Sequence, residues 1–411
     1  MTGELIETQD QLLAVFDLLR ATRRRLSLDA VLADLVGEVR RLTAGERAFA
    51  VLGLDPYRRL VCDPELVAPE QVALIERLCA WTRESGAPLL SNSPGDLPAG
   101  LPVPASVFNI AAVPVTVEAQ VQAALGVLNR PNTALSAGTI KLLQALAEQA
   151  GALIESAVLH EQALARERLL HEMKLAAEIQ AGLMEGRAPQ VPGLEIVGQF
   201  RPAADVGGDF YDFRLRADGK LAFNVGDVSG KGIGAALVMG ISRTVLRGAT
   251  HQLGRPAQVL DRANVDLYED LTRVTKFVTA FTGFYLPYDN VLWYASAGHS
   301  PVVYCPADGP ARLLVADSLP LGILPDAAAV DRRLPLGPGD VLVVATDGFS
   351  EATNRRGELF GYDRLLRLVE AVAGEAASVA GRRLFAAVKQ FGDGRPQDDD
   401  QTLVLLRGRP V

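Results

Sequence analysis

The segment VGGDFYDF, residues 206–213, decides how the C-terminal half of this chain is read. Taken alone, Gly207-Gly208-Asp209-Phe210 looks like the signature loop of cyclic di-GMP synthases. That signature needs GG(D/E)EF, and here Phe210 and Tyr211 stand where the acidic residue and its phenylalanine are required. Asp209 must therefore be understood through the other acidic residues around it.

Three further aspartates share its setting. Asp227 follows the strand-like KLAFNVG and precedes VSGKG; Asp347 follows DVLVVAT and precedes Gly348; Asp399 lies in QDDDQT, just before TLVLLRG. Carboxylates at strand ends beside glycines can converge on one sheet edge. Gathered together they repel one another unless cations neutralise them. An all-oxygen donor set favours Mg²⁺ or Mn²⁺ over zinc, and two such ions roughly 3.5–4 Å apart suit in-line attack on phosphorus. Any one of these aspartates could be only a turn or cap residue, the common role of Asp before Gly.

GDVSGKGIGAA also mimics a nucleotide loop. Val225 occupies a required glycine position of the Walker A pattern, and Gly232 stands where it needs Ser or Thr. The GxGxxA at residues 230–235 lacks a clear βαβ unit downstream.

The surrounding pattern is short strands and turns from residue 194 onward. The strand-like stretches are LEIVGQFRPA, DFYDFRLR, KLAFNVGDV, KFVTAFTGFYL, VLWYASAG, PVVYC, DVLVVATDG and QTLVLLRG, with hairpin turns at Asp218-Gly219 and Asp289-Asn290. Two pairs of helical segments interrupt them. Packed antiparallel sheets flanked by helices, an α+β architecture, are expected.

VGGDFYD, GDVSGKGIGAALVM, SAGHSP, VATDGFSEA and DDDQT, in this order, resemble the PPM-type metal-dependent serine/threonine phosphatases, and among them the bacterial SpoIIE/RsbU-like branch. The resemblance implies two Mn²⁺ or Mg²⁺ ions. Asp227 would bridge them, the Val228 carbonyl and Asp209 would complete one, and Asp347 and Asp399 would hold the other. Catalysis would run through metal-bound water at Asp209 and Asp227, with no Ser or Cys nucleophile. Asp399 is chosen because the family ligand stands three residues before a Thr, here Thr402; Asp400 is adjacent, and Asp398 is the competing assignment. The implied substrate is phosphoserine or phosphothreonine on a STAS-type anti-sigma factor antagonist in a bacterial signalling or stress response. A silent scaffold that only binds phosphoprotein would be marked by lost ligands, and all four aspartates are present. Asp212 reads as a solvent-facing strand residue, His299 as a structural hydrogen-bonding residue, and Lys231 and Arg201 as solvated surface cations rather than phosphate contacts.

Upstream, the order is helix (with Ser27 as N-cap and Gly45 as end), strand, helix, paired strands, long helix. AAVPVTVEAQVQAALGVLNR followed by LLQALAEQAGALIESAVLH resembles a GAF domain, which implies a sensor module with or without a ligand. Cys62 and Cys79 read as buried small residues. Leu169, Met173, Ala176, Gln180 and Leu183 fall at coiled-coil spacing, interrupted by the polar glutamine. The expected organisation is an N-terminal helix over 1–20, a GAF-like domain over 21–157, a helical linker over 158–187 and a phosphatase-like domain over 188–408. A homodimer and an activating ligand or protein are expected partners.

The 411 residues carry a formal net charge of −8, which disfavours a broad nucleic-acid surface. No stretch approaches the ~18–20 apolar residues of a spanning helix, the N-terminus lacks a signal-peptide pattern, and the three scattered cysteines suggest neither disulfides nor zinc. A cytoplasmic protein is expected.

Overall fold

The computed structural model describes residues 27–65, 68–98, 101, 103–184 and 188–410. The expected helix over 1–20 and the expected boundary at 187 lie outside the described residues. Two compact units are separated near residues 169 and 170.

In the N-terminal unit, α1 (Leu28–Thr43) opens on Ser27, whose hydroxyl accepts from the Ala30 N–H. It ends at Ala44 in a left-handed conformation, one residue before the expected Gly45. Strands β1 (Arg47–Leu52), β2 (Arg59–Asp63), β3 (Leu89–Ser91), β4 (Ile110–Val117) and β5 (Gln120–Leu128) form one antiparallel sheet in the order β2-β1-β5-β4-β3. The short β2 and β3 were not expected. They lie at the sheet edges, where pairing with a neighbour compensates for weak alternation. Ala48, Ala50 and Leu52 face a core shared with α1 and the start of α3 (Ala137–Met184). Phe49 and Val51 face the opposite core, with Leu74, Ile75 and Leu78 of α2 (Pro69–Ser85). The period of two along one strand thus separates two helical layers. The Leu28 N–H donates to Glu161 Oε1 at 3.1 Å, tying α1 to α3.

Burial pushes the Cys62 thiol up to about 12 and raises that of Cys79. Neither is a ready nucleophile at neutral pH. Among the described residues, no helix is long and apolar enough to cross a membrane.

The C-terminal unit contains two five-stranded antiparallel sheets. The first joins β7 (Phe210–Leu215), β8 (Leu221–Val228), β9 (Val278–Leu286), β10 (Val291–Ala297) and β13 (Arg332–Pro335), in the order β13-β10-β9-β8-β7. The second joins β6 (Leu194–Arg201), β11 (Val302–Cys305), β12 (Arg312–Leu313), β14 (Val341–Ala345) and β15 (Gln401–Gly408), in the order β12-β11-β14-β15-β6. Val302, Tyr304, Leu342, Val344, Val404 and Leu406 belong to the core shared with the first sheet. Their alternate neighbours Val303, Val343 and Leu405 pack instead with α7 (Gly361–Val372) and α8 (Ala377–Phe391). Helices α4 (Ile233–Gln252) and α5 (Pro256–Arg273) pack against the first sheet. There Asn224 Nδ2 of β8 donates to Thr250 Oγ1 of α4 at 3.1 Å. The result is the expected sandwich flanked by helices.

Candidate active site

Antiparallel register brings the aspartates together. Phe210 pairs with Gly226, so Asp209 and Asp227 fall beside each other at one end of β7 and β8. Ala345 pairs with Leu403 in the second sheet, so the residues just before β15 meet those just after β14. Asp347 begins a single helical turn, α6 (Asp347–Ser350), directly after β14. Thr346 joins the two sheets: its Oγ1 donates to Asp209 Oδ2 at 2.6 Å and accepts the Thr402 N–H at 3.0 Å.

Asp209 is buried, and its carboxyl is held well above the usual carboxylate range by burial and then by the charge of Asp227, with the Thr346 bond acting against both. Burial followed by the charge of Asp347 pushes Asp227 up to about 7. Burial, Glu351 and Asp399 push Asp347 up to about 6. The carboxyls therefore feel one another across four separate chain segments.

Asp399 behaves differently from its neighbours. It is half-exposed, and its Oδ2 lies 3.0 Å from Lys231 Nζ, which also donates to the Asp398 carbonyl. Burial works to lower the Lys231 amine, but the bond to Asp399 together with the charges of Asp399, Asp400 and Asp398 outweighs it and holds the amine above its ordinary value. Lys231 is therefore engaged with the acidic rim, not simply solvated. Asp398 points away, to Arg395 at 3.1 Å and to Thr353.

Asp400 has a role that the sequence did not disclose. It is buried, and its two carboxylate oxygens accept the N–H groups of Ala203 at 2.8 Å and Gly208 at 2.7 Å. One carboxylate thus holds the loop that carries Asp209. Gly207 is required by this contact, because a Cβ there would stand 2.2 Å from Asp400 Oδ2. Gly348 is required on the other side, where a Cβ would stand 1.9 Å from the Asp400 carbonyl oxygen. On the same loop, the Val228 N–H donates to the Gly208 carbonyl at 3.3 Å.

A second clamp comes from α3. Gln180 Nε2 donates to the Gly207 carbonyl at 2.7 Å, and its Oε1 accepts the Gly207 N–H at 2.9 Å. The polar residue that interrupts the apolar stripe is thus buried against the loop two residues before Asp209. Its only signal in the sequence was that interruption.

Asp212 corrects the sequence reading. It is buried, not solvent-facing, and one oxygen accepts from Arg243 at 3.0 Å and Arg247 at 2.7 Å, both on α4. It pairs across the sheet with Asn224, which also faces α4, so period two sends its side chain to the helical layer. Asp212→Ala strands the mostly buried Arg243 charge while the half-exposed Arg247 can hydrate. The expected cost is about 2 kcal/mol, or roughly 4–8 °C in Tm for a domain of this size. An unchanged thermal midpoint would refute this assignment.

His299 is buried, with Nδ1 3.1 Å from Thr279 Oγ1. Burial lowers its imidazole to about 4, with the Ala345 backbone acting in the other direction. Arg201 lays its guanidinium over the Phe385 ring, 4.9 Å from the centroid.

Among the described residues, no set of three or more His, Cys, Asp or Glu side chains stands already arranged around a metal position. The donor chemistry nevertheless fits a hard cation. The donors are all oxygen, and mutual repulsion and burial leave the carboxyls short of positive charge.

Residues 217–409 match the family model described as Stage II sporulation protein E (SpoIIE), and residues 25–155 match a GAF domain. The chain carries a GAF domain followed by a SpoIIE-type domain. The match to SpoIIE begins after Asp209, so the place of that residue rests on the tertiary contacts. The chain is 28% identical over 258 residues to Protein IcfG of Synechocystis sp., covering 56% of this chain and 40% of that protein. It is 29% identical over 243 residues to Phosphoserine phosphatase RsbU of Bacillus subtilis, covering 59% of this chain and 72% of that protein. The SiaA-PP2C domain of Pseudomonas aeruginosa shares the fold of the SpoIIE domain, with a TM-score of 0.54 at 24% identity over 60% of this chain and 99% of that one.

The raised carboxyls fix the sign of a pH effect. An unfolded chain loses these protons near 3.9, whereas Asp347 and Asp227 hold them to about 6 and about 7. The folded state binds the extra protons between those values, so stability falls as pH rises from about 4 to about 7. In chelator, the Tm of the SpoIIE domain is expected to drop from pH 5 to pH 7.5, and Mn²⁺ is expected to cancel the drop. A midpoint that climbs over this range in chelator would contradict it.

Proposed function

We propose that this chain is a Mn²⁺- or Mg²⁺-dependent protein phosphatase that hydrolyses phosphoserine or phosphothreonine on a partner protein, of the STAS-type anti-sigma factor antagonist class. The observation that carries the reading is the convergence of Asp209, Asp227, Asp347 and Asp399 from both sheets onto one edge, each of the first three held above its ordinary pKa. Asp209, Asp227, Asp347, Asp399 and the Val228 carbonyl would hold the cations. When bound, these would neutralise phosphoryl oxygens and lower the pKa of water.

The chain's own residues prepare the site. Thr346 fixes the Asp209 carboxylate, while Asp400 and Gln180 fix the backbone of its loop. Lys231 sits at the rim, beside Asp399.

Regulation by the GAF domain is part of the proposal. Its support is that α3 is one unbroken helix whose first part packs in the GAF core and whose last turns carry Gln180. A homodimer fits an apolar groove of about 590 Å³ in which Ile179 and Leu183 of α3 stand exposed with Leu237 and Ile241 of α4.

The deciding experiment is hydrolysis of p-nitrophenyl phosphate and of a phosphoserine peptide, with Mn²⁺ and with chelator. Metal-dependent turnover is the expected result. Absence of turnover on both substrates, with the protein folded and loaded with Mn²⁺, would overturn the proposal. Deleting residues 1–157 is expected to change turnover or the oligomeric state read by light scattering; no change in either would remove the GAF domain from the scheme.

A further inference from the structure

A basic groove opens beside the carboxylate cluster. Two adjoining depressions of about 320 and about 490 Å³ share Arg201 and Lys389, and the first is also lined by the Arg395–Asp398 ion pair. Arg382 lines the second, two turns before Lys389 on α8, and Phe385 lies between them on the same helical face. The guanidinium of Arg201 rests on that phenylalanine ring.

These three cations differ from the basic residues around them. Arg383 pairs with Glu375, Arg395 with Asp398, and Arg355 with Asp393. Among the described residues, Arg201, Arg382 and Lys389 have no carboxylate within ion-pair distance. In a chain with 49 acidic and 41 basic residues, unpaired carboxylates are in excess, so three unpaired cations on one groove are a local reversal of charge.

The groove is tied to the candidate site by one side chain. Gln397 Nε2 donates to the Arg201 carbonyl at 2.9 Å and to the Asp399 carbonyl at 2.7 Å. Arg201 also pairs with Gln401 across the sheet, two residues beyond Asp399. Arg201 therefore stands next to the strand entry that carries Asp399.

We infer that this groove docks an acidic segment flanking the phosphorylated residue of the protein substrate, an inference that rests on the phosphatase reading above. The span from Arg382 to Lys389 is seven residues of helix, about 10 Å at ~1.5 Å per residue. That length suits several carboxylates on an extended chain better than one small anion. The stacking of Arg201 on Phe385 holds its planar fork ready for a carboxylate.

The test uses the full chain with Mn²⁺ and reads binding by fluorescence anisotropy. The probes are a short labelled peptide carrying a non-hydrolysable phosphonate analogue of phosphoserine between glutamate flanks and its counterpart with glutamine flanks. The parent is expected to bind the glutamate peptide about tenfold more tightly, the scale of two or three solvent-screened ion pairs, and salt is expected to erode the difference. Arg382→Glu combined with Lys389→Glu is expected to abolish the preference, with circular dichroism confirming the fold; the milder Arg382→Gln with Lys389→Gln is expected to reduce it. Equal binding of both peptides by the parent, or an intact preference in the folded double variant, would overturn the inference. So would a groove that takes anionic vesicles or an oligonucleotide through these residues but not the glutamate peptide. Because the phosphonate is not hydrolysed, binding is read separately from turnover: loss of p-nitrophenyl phosphate hydrolysis alone strikes the phosphatase reading, whereas loss of flank discrimination strikes the groove.

Discussion

Asp227→Asn is expected to lower Mn²⁺-dependent turnover by about 10³-fold while making the metal-free protein more stable. The two effects have one cause. Asp227 lies between the other carboxyls, buried and pushed up to about 7, with the charge of Asp347 as the largest influence after burial. A neutral amide of the same shape removes that repulsion, so Tm in chelator rises. It also removes a carboxylate that would hold the cations directly, a larger loss than the ~10–100-fold typical of outer-shell partners. Turnover with Mn²⁺ and thermal melting in chelator check both halves. A variant as active as the parent, or one destabilised in chelator, would contradict the assignment. The gain in stability separates a lost functional charge from a damaged fold.

Gln180→Leu is expected to cost about 10²-fold in turnover at saturating substrate, with a higher Mn²⁺ requirement and a smaller change in KM. The leucine keeps the volume and removes both bonds to Gly207. The buried N–H and carbonyl of Gly207 are then unsatisfied, a penalty of about 1–3 kcal/mol each. The loop can relieve it by moving toward water, which carries Asp209 away from Asp227. Gln180→Glu retains the acceptor and loses the donor, so it is expected to fall between the two. Gln180 is a positioning residue, and the Mn²⁺ titration tests that role, since a purely structural defect would change melting without moving the metal midpoint. An unchanged Mn²⁺ midpoint in Gln180→Leu would refute it.

Much of this was legible in the sequence because it depends on local rules. Short apolar runs bounded by turn residues marked β8, β9, β14 and β15, and the Asp218-Gly219 turn marked the β7–β8 hairpin. The edge strands β2, β3, β12 and β13 were missed; they are short, and pairing rather than pattern defines them. Asp212 was misread because alternation gives two faces without saying which is covered, and α4 covers its face with two arginines.

The sequence by itself determined the order of domains and the aspartates worth watching, since strand ends, glycines and turns are written in neighbouring residues. Only the tertiary structure decided which acid does what. Asp398, Asp399 and Asp400 are consecutive, yet one faces Arg395 outside, one meets Lys231 at the rim, and one is buried holding the Asp209 loop. Adjacent side chains at a strand entry point in different directions, and the backbone groups that give Asp400 its role come from nearly 200 residues away.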